Sequence, residues 1–211
     1  PVIIQTTIED DFKVTPSQLE AAITPRTRAL IFNSPSNPTG MVYARDEMAA
    51  LVRVLEKYPE ILVISDEIYE HITFSGSHIS LASFPSITDR VATVNGVSKG
   101  YAMTGWRIGY MGAPLWLAKA CNKLQGQFTS GVCSIAQRAA LAAVTSKSDA
   151  KEKMREAFVR RRDLICRLLG DIPGLKVRVP QGAFYVMPDI SNFIGKSYNG
   201  RVIRNADDLT F

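Results

Sequence analysis

Three short strand-like runs constrain this chain most: Ala29-Leu30-Ile31-Phe32, Ile61-Leu62-Val63-Ile64 and Val91-Ala92-Thr93-Val94. Runs without polar alternation are expected of strands buried on both faces, the kind that build parallel sheets. Between the first pair lies a helical pattern over 44–57, with Met48, Leu51, Val52 and Leu55 at i, i+3, i+4 and i+7. Each run leads into a polar cluster: Ser34-Pro35-Ser36-Asn37-Pro38-Thr39-Gly40, then Ser65-Asp66-Glu67-Ile68-Tyr69-Glu70, then Ser98-Lys99. Strand and helix alternate, and the polar residues gather at the C-terminal ends of the strands. Open α/β sheets place their ligands there.

The rest of the chain extends this pattern. Val2-Ile3-Ile4-Gln5 is a strand candidate, and Thr15-Pro16-Ser17-Gln18 carries a capping box with proline at the first helical position. Leu19, Ala22 and Ile23 supply that helix with an apolar face. A strand is expected over 108–112, and helices over 114–124, 134–144 and 148–169. Gly170 is the expected C-cap of the last helix, and Met154, Phe158, Ile165 and Leu168 line one face of it. Strands over 175–179 and 183–187 flank Pro180-Gln181-Gly182, and 206–211 begins a helix. The expected division is a large α/β domain over 1–145, with a mostly parallel sheet sandwiched by helices. A linking helix follows over 146–170, then part of a smaller α+β domain over 171–211.

Composition removes several classes. With 46% hydrophobic and 21% charged residues, the 211-residue chain suits a globular core. The net charge of +5 is scattered apart from Arg160-Arg161-Arg162, which falls in a helical pattern and reads as a solvated face, so no nucleic-acid partner is expected. No run of eighteen apolar residues occurs, so no membrane span is expected. No signal peptide is visible, and Pro1 is not a natural initiator. The three cysteines, Cys121, Cys133 and Cys166, are too far apart for a CxxC motif and are expected as buried free thiols in a reducing cytoplasm. His71 and His78 lack metal-site spacing and are expected in a loop, so no metal is predicted.

Chemistry concentrates in Ser98-Lys99-Gly100-Tyr101-Ala102-Met103-Thr104-Gly105-Trp106-Arg107-Ile108-Gly109. Burial of a strand-end lysine disfavours the ammonium, which suits an amine that must attack a carbonyl. A guanidinium such as that of Arg107 offers a planar fork of donors matched to phosphate. Alone, the stretch reads equally as a surface lysine and arginine in a glycine-containing loop. Likewise Asn37 is also a turn former, and Asp66 also suits a capping or loop carboxylate. Glu67 and Glu70 read as surface or structural charges, and Trp106 as core packing. The peptide before Pro38 is a candidate cis bond.

Taken in order, the Asn37 turn, Asp66 with Tyr69, Lys99 and Arg107 resemble the fold-type I pyridoxal 5'-phosphate enzymes. The likeness is to the class I/II aminotransferases, most closely the prokaryotic-type aspartate aminotransferases, and runs over nearly the whole chain. The resemblance implies that Lys99 forms a Schiff base with the cofactor and then shuttles a proton. It implies that Asp66 keeps the pyridine nitrogen protonated and that Tyr69 and Asn37 bond the 3'-oxygen. Arg107, with Ser98, is implied to hold the phosphate. Relatives often carry serine three residues before the lysine, where this chain has Gly96. The stretch 127–137 resembles a segment that approaches a neighbouring subunit's site, implying a homodimer. Gly182-Ala183-Phe184-Tyr185 resembles the start of the small domain, where aromatics pack in the core.

The implied activity is transfer of an amino group from aspartate or a similar amino acid to a 2-oxo acid, in the cytoplasm. A β-lyase or another aminotransferase specificity is an alternative within the same chemistry. A non-enzymatic cofactor-binding regulator domain and an inactive fragment are alternatives outside it. Family chains are considerably longer. They carry a lid, a glycine-rich phosphate loop and a ring-stacking aromatic upstream, and a carboxylate-gripping arginine downstream. The chain is therefore expected to be a fragment.

Overall fold

The structure is a computed structural model that describes residues 1–210. Helix α1 (Pro16–Ala22) begins as its spacing predicts. Thr15 Oγ1 accepts from Gln18 N at 3.3 Å while Gln18 Oε1 accepts from Thr15 N at 2.8 Å. Helix α2 (Arg45–Leu55) opens on Asp46 and Glu47 and ends near Arg53, charges that complement its dipole. Its residues Met48, Leu51, Val52 and Leu55 are all buried, with Leu19 of α1, in the main core.

That core lies on one face of a four-stranded sheet, ordered β1 (Ala29–Asn33), β2 (Leu62–Asp66), β3 (Val91–Gly96), β4 (Gly109–Gly112). The first three strands are parallel, and β4 runs antiparallel to β3. Asn33 registers with Asp66, and Asp66 with Val94, so the C-terminal ends of β1, β2 and β3 lie side by side. Phe32 and Val63 face the core.

The expectation of a β1 buried on both faces is corrected: Ile31 is 76% exposed. β1 is an edge strand, and no described element covers its second face. Val2-Ile3-Ile4-Gln5 forms no strand, because no described neighbour offers it a hydrogen-bonding edge.

After β4 come α3 (Leu115–Phe128), α4 (Ser134–Thr145) and α5 (Ala150–Gly170). Gly170 is the last residue of α5 rather than its cap. Asp171 keeps right-handed geometry, and its N–H bonds Arg167 O and Leu169 O, so no left-handed turn is made. Met154 and Phe158 pack inward as expected, whereas Ile165 and Leu168 stay exposed. Trp106 is 46% exposed and does not pack in the core. Cys133 is exposed, Cys121 and Cys166 are half-buried, and all three are free.

β5 (Lys176–Val177) pairs antiparallel with β6 (Pro188–Asp189), while 183–187 forms no strand. Its first residue, Ala183, donates its N–H to Ile72 O at 2.8 Å instead. β7 (Ser197–Tyr198) and β8 (Arg201–Val202) make a small hairpin, and α6 (Ala206–Thr210) is the expected final helix, whose Phe211 lies outside the described residues. Among the described residues, no helix is long and apolar enough to cross a membrane.

Candidate active site

The site begins with Asn33, the residue that ends β1. Its Nδ2 donates to Asp66 O at 2.9 Å, and its Oδ1 accepts from Asn37 N at 2.6 Å. A single side chain thus ties the Asn37 turn to the end of β2. The Ser34–Pro35 and Asn37–Pro38 peptides are both cis. The turn closes at Gly40, whose φ of +71° is left-handed.

Asp66 is half-buried, and its Oδ1 accepts from Ile68 N at 3.2 Å. This Asx-type bond turns the chain as it leaves the strand. Tyr69 follows, 2% exposed, with its hydroxyl 2.7 Å from that of Tyr185. Its ring meets Phe184 edge to face, centroids 5.3 Å apart. Burial pushes the Tyr69 hydroxyl well above the usual phenol range, helped by the Tyr185 hydroxyl and by the Asp66 charge. The Asn37 amide acts in the opposite direction.

Lys99 lies in the loop beyond β3 and is half-buried. Its Nζ stands 5.5 Å from the Phe184 ring centroid and 5.9 Å from that of Tyr69. Among the described residues, neither Lys99 nor Asp66 enters an ion pair. The structure therefore gathers Asn37, Asp66, Tyr69 and Lys99 at one end of the sheet.

Tyr185 and Phe184 reach this place through backbone bonds. Gly40 O accepts from both Gln181 N and Gly182 N at 2.8 Å, Gln181 O accepts from Phe74 N at 2.7 Å, and Ile72 O accepts from Ala183 N at 2.8 Å. A Cβ at Gly182 would sit 2.8 Å from Val42 Cγ2 and 2.9 Å from both Ile72 O and Pro35 Cβ, so only glycine allows the approach. Tyr185 and Asn33 were not singled out from the sequence. The signal for Tyr185 was the glycine at position 182, which marks close backbone contact just before the aromatic pair.

Ser98 and Arg107 are placed differently. Ser98 is half-buried, and its carbonyl accepts from Met103 N at 3.1 Å. Arg107 is exposed and left-handed (φ 53°, ψ 51°), and its Nη1 donates to Thr104 O at 3.1 Å. It lines a separate cleft with Gln125, Thr129 and Cys133.

Residues 1–204 match the protein family described as aminotransferase class I and II. The chain is 50% identical to an aspartate/prephenate aminotransferase of Cereibacter sphaeroides, covering 100% of this chain and 53% of the relative. It is 45% identical to a bifunctional aspartate aminotransferase and glutamate/aspartate-prephenate aminotransferase of Petunia hybrida, over 99% of this chain and 45% of the relative. The crystal structure of the aspartate aminotransferase from Rhizobium meliloti superposes with a TM-score of 0.95 at 43% identity, over 99% of this chain and 53% of that one. The chain thus spans about half the length of these relatives.

Proposed function

Because this chain belongs to the class I and II aminotransferases, we propose that the full-length protein transfers an amino group from an amino acid to a 2-oxo acid, using pyridoxal 5'-phosphate. The observation that carries this reading is the convergence of Lys99, Asp66, Tyr69 and Asn37 at the strand ends. Their chemistry fits the cofactor. Among the described residues, Lys99 is an amine without a carboxylate partner, set against aromatic faces. Among the described residues, the second oxygen of the Asp66 carboxylate has no hydrogen-bond partner, and the Tyr69 phenol and the Asn37 amide suit a ring oxygen.

Bound there, the cofactor supplies an electron sink for the bonds of the substrate Cα. The Lys99 amine would hold the cofactor's aldehyde and would carry a proton at the substrate Cα. Asp66 holds a proton on the pyridine nitrogen by charge pairing. Tyr69 and Asn37 donate to the ring's phenolic oxygen. Ser98 and Arg107 are assigned to the phosphate, which requires the Arg107 guanidinium to exchange its Thr104 carbonyl for that anion.

The names of the relatives nominate aspartate as donor and prephenate among the acceptors. A cytoplasmic homodimer, with a large domain over 1–145 and a small one starting at 171, completes the proposal. Purified full-length protein should show a visible absorbance band with the cofactor, and Lys99→Ala should abolish it. Transfer from a panel of amino acids to 2-oxo acids, prephenate included, should favour aspartate or glutamate. Absence of the band, or of any transfer, would remove the reading.

A further inference from the structure

We propose that Tyr185 is a positioning residue for this site: its hydroxyl donates to the Tyr69 oxygen and thereby aims the Tyr69 proton at the cofactor's ring oxygen. The inference rests on the reading of Tyr69 as the phenol that faces that oxygen.

A phenol has a single proton to give and lone pairs that accept. The two hydroxyl oxygens are 2.7 Å apart, so one of them must donate to the other. Tyr185 has no other hydroxyl partner among the described residues, whereas Tyr69 also meets the Asn37 amide. If Tyr69 spends its proton on the ring oxygen, Tyr185 supplies the bond that Tyr69 accepts. A hydroxyl that accepts one bond becomes a stronger donor in the next.

The placement of Tyr185 is also over-determined. The backbone from Gln181 to Ala183 is bonded to Gly40 on one side and to Ile72 and Phe74 on the other. Both anchors flank the site itself: Gly40 closes the Asn37 turn, and Ile72 follows Tyr69 in the chain. Tyr185 is therefore held by the same loops that carry Asn37 and Tyr69.

The groups that face the Tyr69 hydroxyl are few. Asn37 comes from the turn after β1, Asp66 from β2 and Tyr185 from the 180–185 segment, while Lys99, from the loop after β3, stands over the Tyr69 ring. On the turn of Tyr69 itself, Glu70 pairs with His71 at 3.4 Å. α5 presents uncharged Met154 and Phe158. Among these, Tyr185 is the group that can be altered by a single oxygen without changing the charge of the site.

The test uses full-length protein loaded with pyridoxal 5'-phosphate. The pH midpoint at which the visible band changes is measured for the wild type, Tyr185→Phe, Tyr69→Phe and the double variant. A weaker donor at the ring oxygen holds its negative charge less well, so the midpoint should rise. Tyr185→Phe should raise it by about 0.5 to 1 pH unit, the equivalent of one ordinary hydrogen bond. Tyr69→Phe should raise it further, and the double variant should match Tyr69→Phe alone, because Tyr185 acts through Tyr69. Tyr185→Leu repeats the measurement should Tyr185→Phe misfold.

A Tyr185→Phe midpoint equal to that of the wild type, while Tyr69→Phe moves, would overturn the proposal. So would shifts that simply add in the double variant. A purely structural role would lower the melting temperature and leave the midpoint where it was. If the wild type shows no visible band at all, the cofactor reading itself has failed and takes this inference with it.

Discussion

Glu67 shows how much one position can turn on its neighbours. Its carboxylate, 2% exposed, accepts from Ser65 Oγ at 2.9 Å, Ser80 Oγ at 2.8 Å, Leu81 N at 3.3 Å and His78 Nε2 at 2.7 Å. Of the two sequence readings, surface charge or structural charge, the second holds. Strand alternation sends Asp66 to the crevice and its neighbours Ser65 and Glu67 to the packed side. Glu67→Ala strips these donors of their acceptor and should lower stability by about 3 kcal/mol, read from the urea midpoint. Glu67→Gln keeps part of the network and should cost less. The acidic pair at 66 and 67 was visible in the sequence. Apart from Ser65, the partners of Glu67 lie 11 to 14 residues on and meet it only after a loop has folded back.

Helices rich in apolar residues meet different fates. α2 buries Leu51 to 2% exposure because its apolar face lies on the sheet, against Phe32 and Val63. α4 is also rich in apolar residues, yet Leu141 stays 51% exposed and Ile135 72%. In the 211-residue chain, Leu51→Ala should cost about 3 kcal/mol. Leu141→Ala should change stability by less than about 0.5 kcal/mol. Denaturant midpoints compare them directly, and a large effect at Leu141 would mean that this face is covered in solution. Periodicity told which face of α2 is apolar. It carried no information on what, if anything, lies against that face.

Over the whole molecule, buried phenols set the behaviour at alkaline pH. Tyr43 accepts from Val14 N at 2.7 Å, and its ring packs on Phe32 with centroids 4.8 Å apart. Burial pushes its hydroxyl from 10.0 up to about 12. The unfolded chain then loses this proton first as pH rises. Between about pH 10 and 12 the folded state binds more protons, so stability falls with pH, by up to about 2.7 kcal/mol from this residue. The raised Tyr69 and Tyr110 act in the same direction. Urea midpoints at pH 9 and pH 11 should show the loss, and Tyr43→Phe should show a smaller one.

Read along the chain, local chemistry determined a good deal of this protein. The capping box at Thr15, the strand–helix alternation and the polar clusters that end β1, β2 and β3 all depend on neighbouring residues, and all stand in the fold. Tertiary structure decided the rest. It brought Tyr185 to Tyr69 across 116 positions, and it left Ile31 on an open sheet face. The physical reason is range. A pattern of side chains records which surface must leave water, but the segment that arrives there is selected by backbone hydrogen bonds and packing between residues far apart in sequence.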